Sequence, residues 1–214
     1  MGTFITLEGP DGSGKTTQAH LLVGWLRERG LPVVQTREPG GSDIGDQIRG
    51  ILHDSANAGM MARTEFLLYS ASRAQHVEEL ILPALEENQI VISDRYADSS
   101  IAYQGYGRGL DLETIMSVTD FATQGVEPDL TLYFDIAAGE GLQRRLLSGE
   151  AWNRMDAEAL AFHQRVRRGY RELAQAAPSR WLVIDANRPV EDVQRDVRGA
   201  VDQRLKADGR YAAV

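Results

Sequence analysis

The order of segments along this chain predicts an α/β fold: a parallel five-stranded sheet with helices on both faces and a lid segment. Three observations carry that expectation. Short apolar runs bounded by turn residues alternate with longer helical stretches, the pattern of right-handed βαβ crossovers. A glycine-rich loop joins the first strand to the first helix. No internal repeat, low-complexity tract or Pro/Ser-rich linker divides the 214 residues, which therefore read as one domain.

Each element has its own signal. Thr3 to Glu8 is a short buried strand, and the helix after it runs from about Lys15 to Arg29, stopped by Gly30 in the usual C′ place. Val33 to Thr36 is the second strand; Arg37-Glu38-Pro39-Gly40-Gly41 continues neither element. Helical stretches follow from Asp43 to His53 and from Arg63 to Glu87, then a third strand from Ile90 to Ser93. Asp111 to Thr123 reads as helix and Leu130 to Phe134 as strand. A helix from Gly139 to Leu147 breaks at Ser148-Gly149, and a long basic helix spans Asp156 to Ala176. Trp181 to Asp185 is the last strand and Val190 to Leu205 the closing helix, followed by a frayed tail, residues 206–214. In such sheets ligands bind beyond the carboxyl ends of the strands. The segments after Glu8, Thr36, Ser93 and Phe134 should therefore line one crevice.

Composition narrows the functional classes. The chain is 43% hydrophobic and 25% charged, enough for a full core and an ordinary polar surface. Its formal net charge of −8, from 31 acidic and 23 basic residues, disfavours loose binding to nucleic acid or anionic membrane. There are no cysteines, which excludes disulfides and thiol-based sites. The start of the chain lacks the basic residues and longer apolar run of a secretory signal, and no stretch approaches the roughly 18 apolar residues of a membrane span. These features lead us to expect a cytoplasmic location.

Gly9-Pro10-Asp11-Gly12-Ser13-Gly14-Lys15-Thr16 satisfies G-x-x-x-x-G-K-[ST] between a strand and a helix, the context that gives the motif its meaning. The glycines let successive N–H groups point at phosphate oxygens, and the helix adds its positive end. Lys15 reaches the terminal phosphates and the Thr16 hydroxyl ligates Mg²⁺. The fold is thus of the P-loop NTPase type. The Asn-Lys-x-Asp signature of switch GTPases is missing, and motor or helicase ATPases need a larger chain. Extra arginine-bearing segments facing the loop suggest a second phosphorylated substrate, and therefore a kinase.

Three segments supply that second half. In Ile92 to Gln104, Arg95 stands at a strand's carboxyl end, where its planar fork suits an acceptor phosphate. Beside it, Asp94 either holds a magnesium-bound water or buttresses the loop. Thr36 to Gly41 is a turn bearing Arg37 and Glu38. In Glu65 to His76, Tyr69 and Arg73 share a helix face, which lets a ring stack on a base while the guanidinium donates to its edge. On periodicity alone Tyr69 is more often a core residue, and His76 reads as a helix-surface residue.

Together with the phosphate loop, these segments resemble the thymidylate kinase family, bacterial type, from Thr3 to about Leu205. The resemblance implies phosphorylation of dTMP to dTDP by ATP with Mg²⁺, and a homodimer. It places Arg37 and Arg95 at the acceptor phosphate, Glu38 near the sugar and metal, and Asp11 at the sugar 3′-hydroxyl or a metal-bound water. Tyr103 would face the sugar C2′; Ser100 and Gln104 the thymine; Tyr69 and Arg73 the thymine ring and its O4. ATP would be held by Gly9 to Thr16, Thr17 and an adenine-stacking Arg144. The lid, 144–156, would bring Arg154 to the transferring phosphoryl beside Lys15, Arg95 and Asp11. This lid departs from the family pattern, with fewer basic residues before Gly149-Glu150, Asn153-Arg154 in place of Asp-Arg, and one extra residue. Which lid arginine acts is therefore open. Asp135 ends an apolar strand but is read as structural, and Arg165, Arg167 and Arg168 as a solvated helix face. Two rivals stand against this reading, a kinase for another nucleoside monophosphate and a regulatory ATP-binding module.

Overall fold

The computed structural model describes residues 1–149 and 152–209. Its strands are β1 (Thr3–Glu8), β2 (Val33–Arg37), β3 (Ile90–Asp94), β4 (Leu130–Asp135) and β5 (Trp181–Asp185), all parallel, in the order β2-β3-β1-β4-β5. The predicted α/β architecture is present. After β2 the chain returns to insert β3 beside β1, then crosses to β4 on the other side. The carboxyl end of β1 is thus flanked by those of β3 and β4, the switch point where open sheets bind ligands.

Strand parity decides what each side chain meets. Ile5 and Leu7 of β1 point to one face, packing with Ile92, Leu132 and Phe134. That face is covered by Leu22 and Leu26 of α1 (Lys15–Glu28) and by Val197 and Val201 of the final helix. Phe4 points to the opposite face, with Val91, Ile81 and Tyr96; Thr6 pairs there with Thr131, their hydroxyl oxygens 3.0 Å apart. Glu8 falls on this second face as well, and is fully buried.

The second face is covered by Val77 and Ile81 and by Ala84 and Leu85 of α4 (Leu82–Glu86); before them runs α3 (Ala62–His76), against which α2 (Asp43–His53), α5 (Ala97–Ser100) and α6 (Leu112–Thr123) pack. The single helix expected from Arg63 to Glu87 is α3 and α4 joined by a π-helical turn, Val77–Ile81. Pro83 has no N–H and its ring crowds the carbonyl four residues back, so the turn before it widens. A helical segment that the sequence did not announce follows β3: α5 runs into a π-helical stretch, Ile101–Gly107.

The helices α7 (Ala138–Leu147), α8 (Leu160–Ala176) and α9 (Val190–Ala207) complete the chain. The start of α8 lies four residues later than predicted. Asn153 Oδ1 accepts the N–H groups of Met155 and Asp156, at 2.8 and 3.2 Å, which ties this stretch into a turn instead. The closing helix takes in Lys206 and Ala207, so the expected tail starts two residues too early; 210–214 lie outside the described residues, as do Glu150 and Ala151 of the lid. Two glycines let α8 approach the π-helical stretch. A Cβ on Gly107 would stand 2.6 Å from Phe162, and one on Gly169 would stand 2.7 Å from Tyr106. This approach brings Tyr170 beside Arg95.

Candidate active site

At the carboxyl ends of β1 and β3 lies a cleft of about 860 Å³. Its floor is the loop after β1. Gly12 has φ 75°, and an added Cβ would overlap the Gly141 carbonyl; at Gly9 a Cβ would sit 2.6 Å from the Phe134 carbonyl oxygen. The first turn of α1 has neither a side-chain cap nor an acidic residue, so its N–H groups are left for an anion. Lys15 Nζ donates to the Pro10 carbonyl (2.9 Å) and to Ser13 Oγ (3.3 Å). Burial, and next the nearby Arg95, push the Lys15 ammonium down to about 8.

Thr16 donates its hydroxyl proton to Asp94 Oδ2 at 2.6 Å. A hydroxyl and a carboxylate side by side are hard oxygen donors that suit Mg²⁺.

Arg95 crosses the mouth of the loop. It adopts φ 74°, unusual for a side-chain-bearing residue. Its guanidinium donates to the Gly9 carbonyl (2.8 Å), Asp11 Oδ1 (2.8 Å) and the Tyr103 hydroxyl (3.2 Å). Burial opposes ionisation of Asp11, but Arg95 and Lys15 outweigh it and hold the carboxyl well below the usual carboxylate range.

The opposite wall is cationic. Arg37 lines it while ion-paired to the exposed Asp46 at 2.9 Å. Arg49 lines it too, donating to the Pro39 carbonyl at 3.1 Å; burial and the neighbouring Arg37 lower its pKa. Tyr69, Ser100, Tyr103 and Gln104 complete this half, and Tyr69 faces the cleft instead of the core. Burial, then Glu65, raise the Tyr69 phenol to about 12, so its hydroxyl stays protonated.

The structure departs from the sequence expectations at five residues: Arg165 and Arg167, expected on a solvated helix face, are held by the Gly107 carbonyl and Asp135, and three others lie elsewhere than expected. Arg73 is absent from the cleft lining. Its three donor nitrogens go to Glu38 Oε2 (2.8 Å), Ser100 Oγ (2.8 Å) and the Tyr96 carbonyl (3.1 Å). Helix periodicity put it beside Tyr69 correctly, but a buried carboxylate claims the guanidinium. His76 is buried, not on the surface, with Nδ1 3.1 Å from Glu38 and Nε2 2.7 Å from Thr36 Oγ1. Arg154 is also turned away: it bonds the Leu52 carbonyl (3.0 Å) and Glu65 (2.6 Å) and is 5% exposed.

The other lid arginines do line the cleft. Arg144 donates to the Ala186 carbonyl at 2.8 Å, and Arg145 chelates Asp156 at 3.2 Å. Asp135 pairs with Arg167 and Arg171 at 2.7 Å, the structural role expected of it; Arg167 is therefore engaged, and Arg165 donates to the Gly107 carbonyl at 2.8 Å. Sequence reasoning missed Arg49 and His53, and placed Arg145 in the lid without giving it a role. The first two are four apart on α2, a spacing that signals one helix face beside the Arg37 turn.

The family model for thymidylate kinase matches residues 7–197. The chain is 48% identical over 225 residues to the thymidylate kinase of Roseiflexus sp. (strain RS-1), covering 100% of both proteins. It is 49% identical over 199 residues to that of Clostridium novyi (strain NT), covering 92% of this chain and 97% of that one. The crystal structure of thymidylate kinase from Ehrlichia chaffeensis superposes with a TM-score of 0.75 at 36% identity, covering 94% of this chain and 98% of that one.

Proposed function

The chain belongs to the thymidylate kinase family, and from that premise we propose how its residues carry the transfer of a phosphoryl group from ATP to dTMP. The observation that carries this reading is a single cleft with two anion-holding walls, the loop amides with Lys15 on one side and Arg37, Arg49 and Arg95 on the other.

In the transfer, an oxygen of the dTMP phosphate attacks the γ-phosphorus of ATP. The bond from that phosphorus to the β,γ-bridging oxygen breaks, and ADP leaves with the electron pair. The attacking oxygen is already anionic, so no general base is required. The loose transition state makes positioning and charge stabilisation the main tasks. Lys15 and the loop through Thr17 hold the donor phosphates, and Arg144 the adenine. Arg37, Arg49 and Arg95 hold the acceptor phosphate, with Asp11 and Glu38 toward its sugar. Tyr69, Ser100 and Gln104 face the base, and Arg73 acts through Glu38 and Ser100. Tyr103 stands against a ribose 2′-hydroxyl. Of the lid arginines, Arg145 rather than Arg154 faces the transferred group, because Glu65 holds Arg154 elsewhere. Thr16 and Asp94 would hold Mg²⁺, which when bound neutralises charge on the bridging phosphates.

We extend the reading to a cytoplasmic homodimer. Leu67 of α3 with Met116 and Phe121 of α6 leave an apolar surface exposed, and no helix among the described residues is long and apolar enough to cross a membrane.

The test is ADP release with dTMP, dUMP, dCMP, dGMP and UMP as acceptors. One ring methyl is worth about 1–3 kcal/mol, so dUMP is expected to be roughly 10- to 200-fold poorer in kcat/KM. Preference for UMP over dTMP would end the dTMP assignment. ATP turnover indifferent to every monophosphate would indicate a regulatory module instead.

A further inference from the structure

Glu8 lies outside the cleft lining and has no place in the transfer described above, yet it is a fully buried carboxylate one residue from the phosphate loop. Its Oε1 accepts the Tyr96 N–H at 2.8 Å. Its Oε2 accepts two hydroxyl protons, from Ser99 at 2.6 Å and from Tyr170 at 2.8 Å. Both hydroxyl oxygens then face Arg95, whose Nη1 donates to Tyr170 Oη at 3.2 Å and to Ser99 Oγ at 3.3 Å.

A hydroxyl presents its lone pairs to a cation only when its own proton is directed elsewhere. Glu8 supplies that other direction for two hydroxyls at once. Chains of this kind strengthen each bond by polarising the next. The arrangement also explains how Arg95 keeps its left-handed backbone, since Glu8 pins the next residue's N–H while the Leu7 carbonyl accepts that of Arg95 at 3.0 Å.

We propose that Glu8 is a positioning residue for the reaction: through the Ser99 and Tyr170 hydroxyls it fixes the Arg95 guanidinium in the orientation that receives the acceptor phosphate. This proposal rests on the reading of Arg95 as an acceptor-phosphate ligand. Glu8 touches neither substrate, so its effect belongs in the acceptor KM.

Glu8→Gln separates positioning from mere structure. The amide keeps the shape and the bond to the Tyr96 N–H. Its NH₂, however, donates to the two hydroxyls, which must then turn their protons toward Arg95. Steady-state kinetics at about pH 8, where wild-type Glu8 is mostly ionised, are expected to show the dTMP KM raised about tenfold, as for loss of a charge-assisted contact, with the ATP KM unchanged and Tm not lowered. Tyr170→Phe removes one bridge and leaves the carboxylate in place, so a smaller rise in dTMP KM is expected. The double variant should be no worse than Glu8→Gln alone. If Glu8→Gln folds with an unchanged dTMP KM, or if both substrates' KM values rise together, Glu8 is structural and the proposal is wrong. Should Glu8→Gln not fold, an unchanged dTMP KM in Tyr170→Phe overturns it equally. The wild-type acceptor panel, run in the same assay, reports on the dTMP assignment separately. If another monophosphate is preferred, the Glu8 effect is read on that acceptor.

Discussion

Lys15 illustrates what one side chain can contribute here without supporting the fold. Among the described residues its ammonium bonds loop atoms alone, the Pro10 carbonyl and the Ser13 hydroxyl, so removing it strands no distant hydrogen-bond partner there. Lys15→Ala is expected to lower kcat by at least roughly 100-fold, the usual loss when a charge-stabilising donor is removed, with Tm close to wild type. ADP-release kinetics with a thermal melt check both halves, and a kcat within threefold of wild type would refute its place at the phosphates. The placing of Lys15, Thr16 and Arg95 in the cleft was legible in the sequence because it depends on a fixed distance from a strand end. Arg73, His76 and Arg154 were not, because their orientation is decided by carboxylates, Glu38 and Glu65, that arrive from other segments. Helix spacing reports which face a residue is on, and never which partner outbids the solvent for it.

At the scale of elements, Glu65 joins three that are distant in sequence. This α3 residue accepts from Gln104 (2.8 Å) and Arg108 (2.8 Å) of the segment after β3, and from Arg154 (2.6 Å) of the lid region. Burial disfavours its charge, but the bonds from Arg108 and Gln104 outweigh this and lower its pKa. Glu65→Ala leaves Arg154 buried with no counter-charge among the described residues, a change worth about 3 kcal/mol. For a chain of this size Tm should fall by roughly 6–12 °C, measured by calorimetry; a drop under 2 °C would show that the three elements do not depend on this carboxylate. Strands were legible because each is a short apolar run, and helices because of their period. Neither signal reports the widened turns before Pro83 and after Ser100, since a π turn arises from local crowding that leaves the apolar pattern intact.

For the whole molecule, stability should follow proton linkage at three positions, the buried Glu8 and the half-buried His53 and Asp135. Burial, then Asp98, push the Glu8 carboxyl from 4.5 up to about 7; Lys15 and Arg95 face it from the cleft, and Asp98 is itself paired with Arg180 at 2.7 Å. The folded state therefore binds this proton more tightly, and stability is lost as pH rises from 4.5 to 7. His53 is opposite in sign: burial and Arg49 hold it down at about 4 instead of 6.5, so the unfolded chain binds the proton and stability is lost as pH falls through that window. For Asp135, bonds from Arg167 and Arg171 overcome burial and lower its pKa from 3.8 to about 2, a contribution present above 3.8 and lost in stronger acid. The Tm difference between Glu8→Gln and wild type is expected to grow in the variant's favour from pH 4.5 to 7. A difference independent of pH would show that Glu8 does not titrate there.

By itself the sequence determined the sheet, the phosphate loop and the kinase class, because apolar period, glycine placement and strand-end position act over a few residues and survive any tertiary arrangement. Only the tertiary structure decided that Arg49 and Arg145 face the cleft, that Arg73, His76 and Arg154 do not, and that Glu8 stands behind Arg95. Those outcomes depend on which buried carboxylate meets which cation across 35 to 89 residues of chain, and the cost of leaving a buried charge unpaired makes that choice for the whole molecule at once.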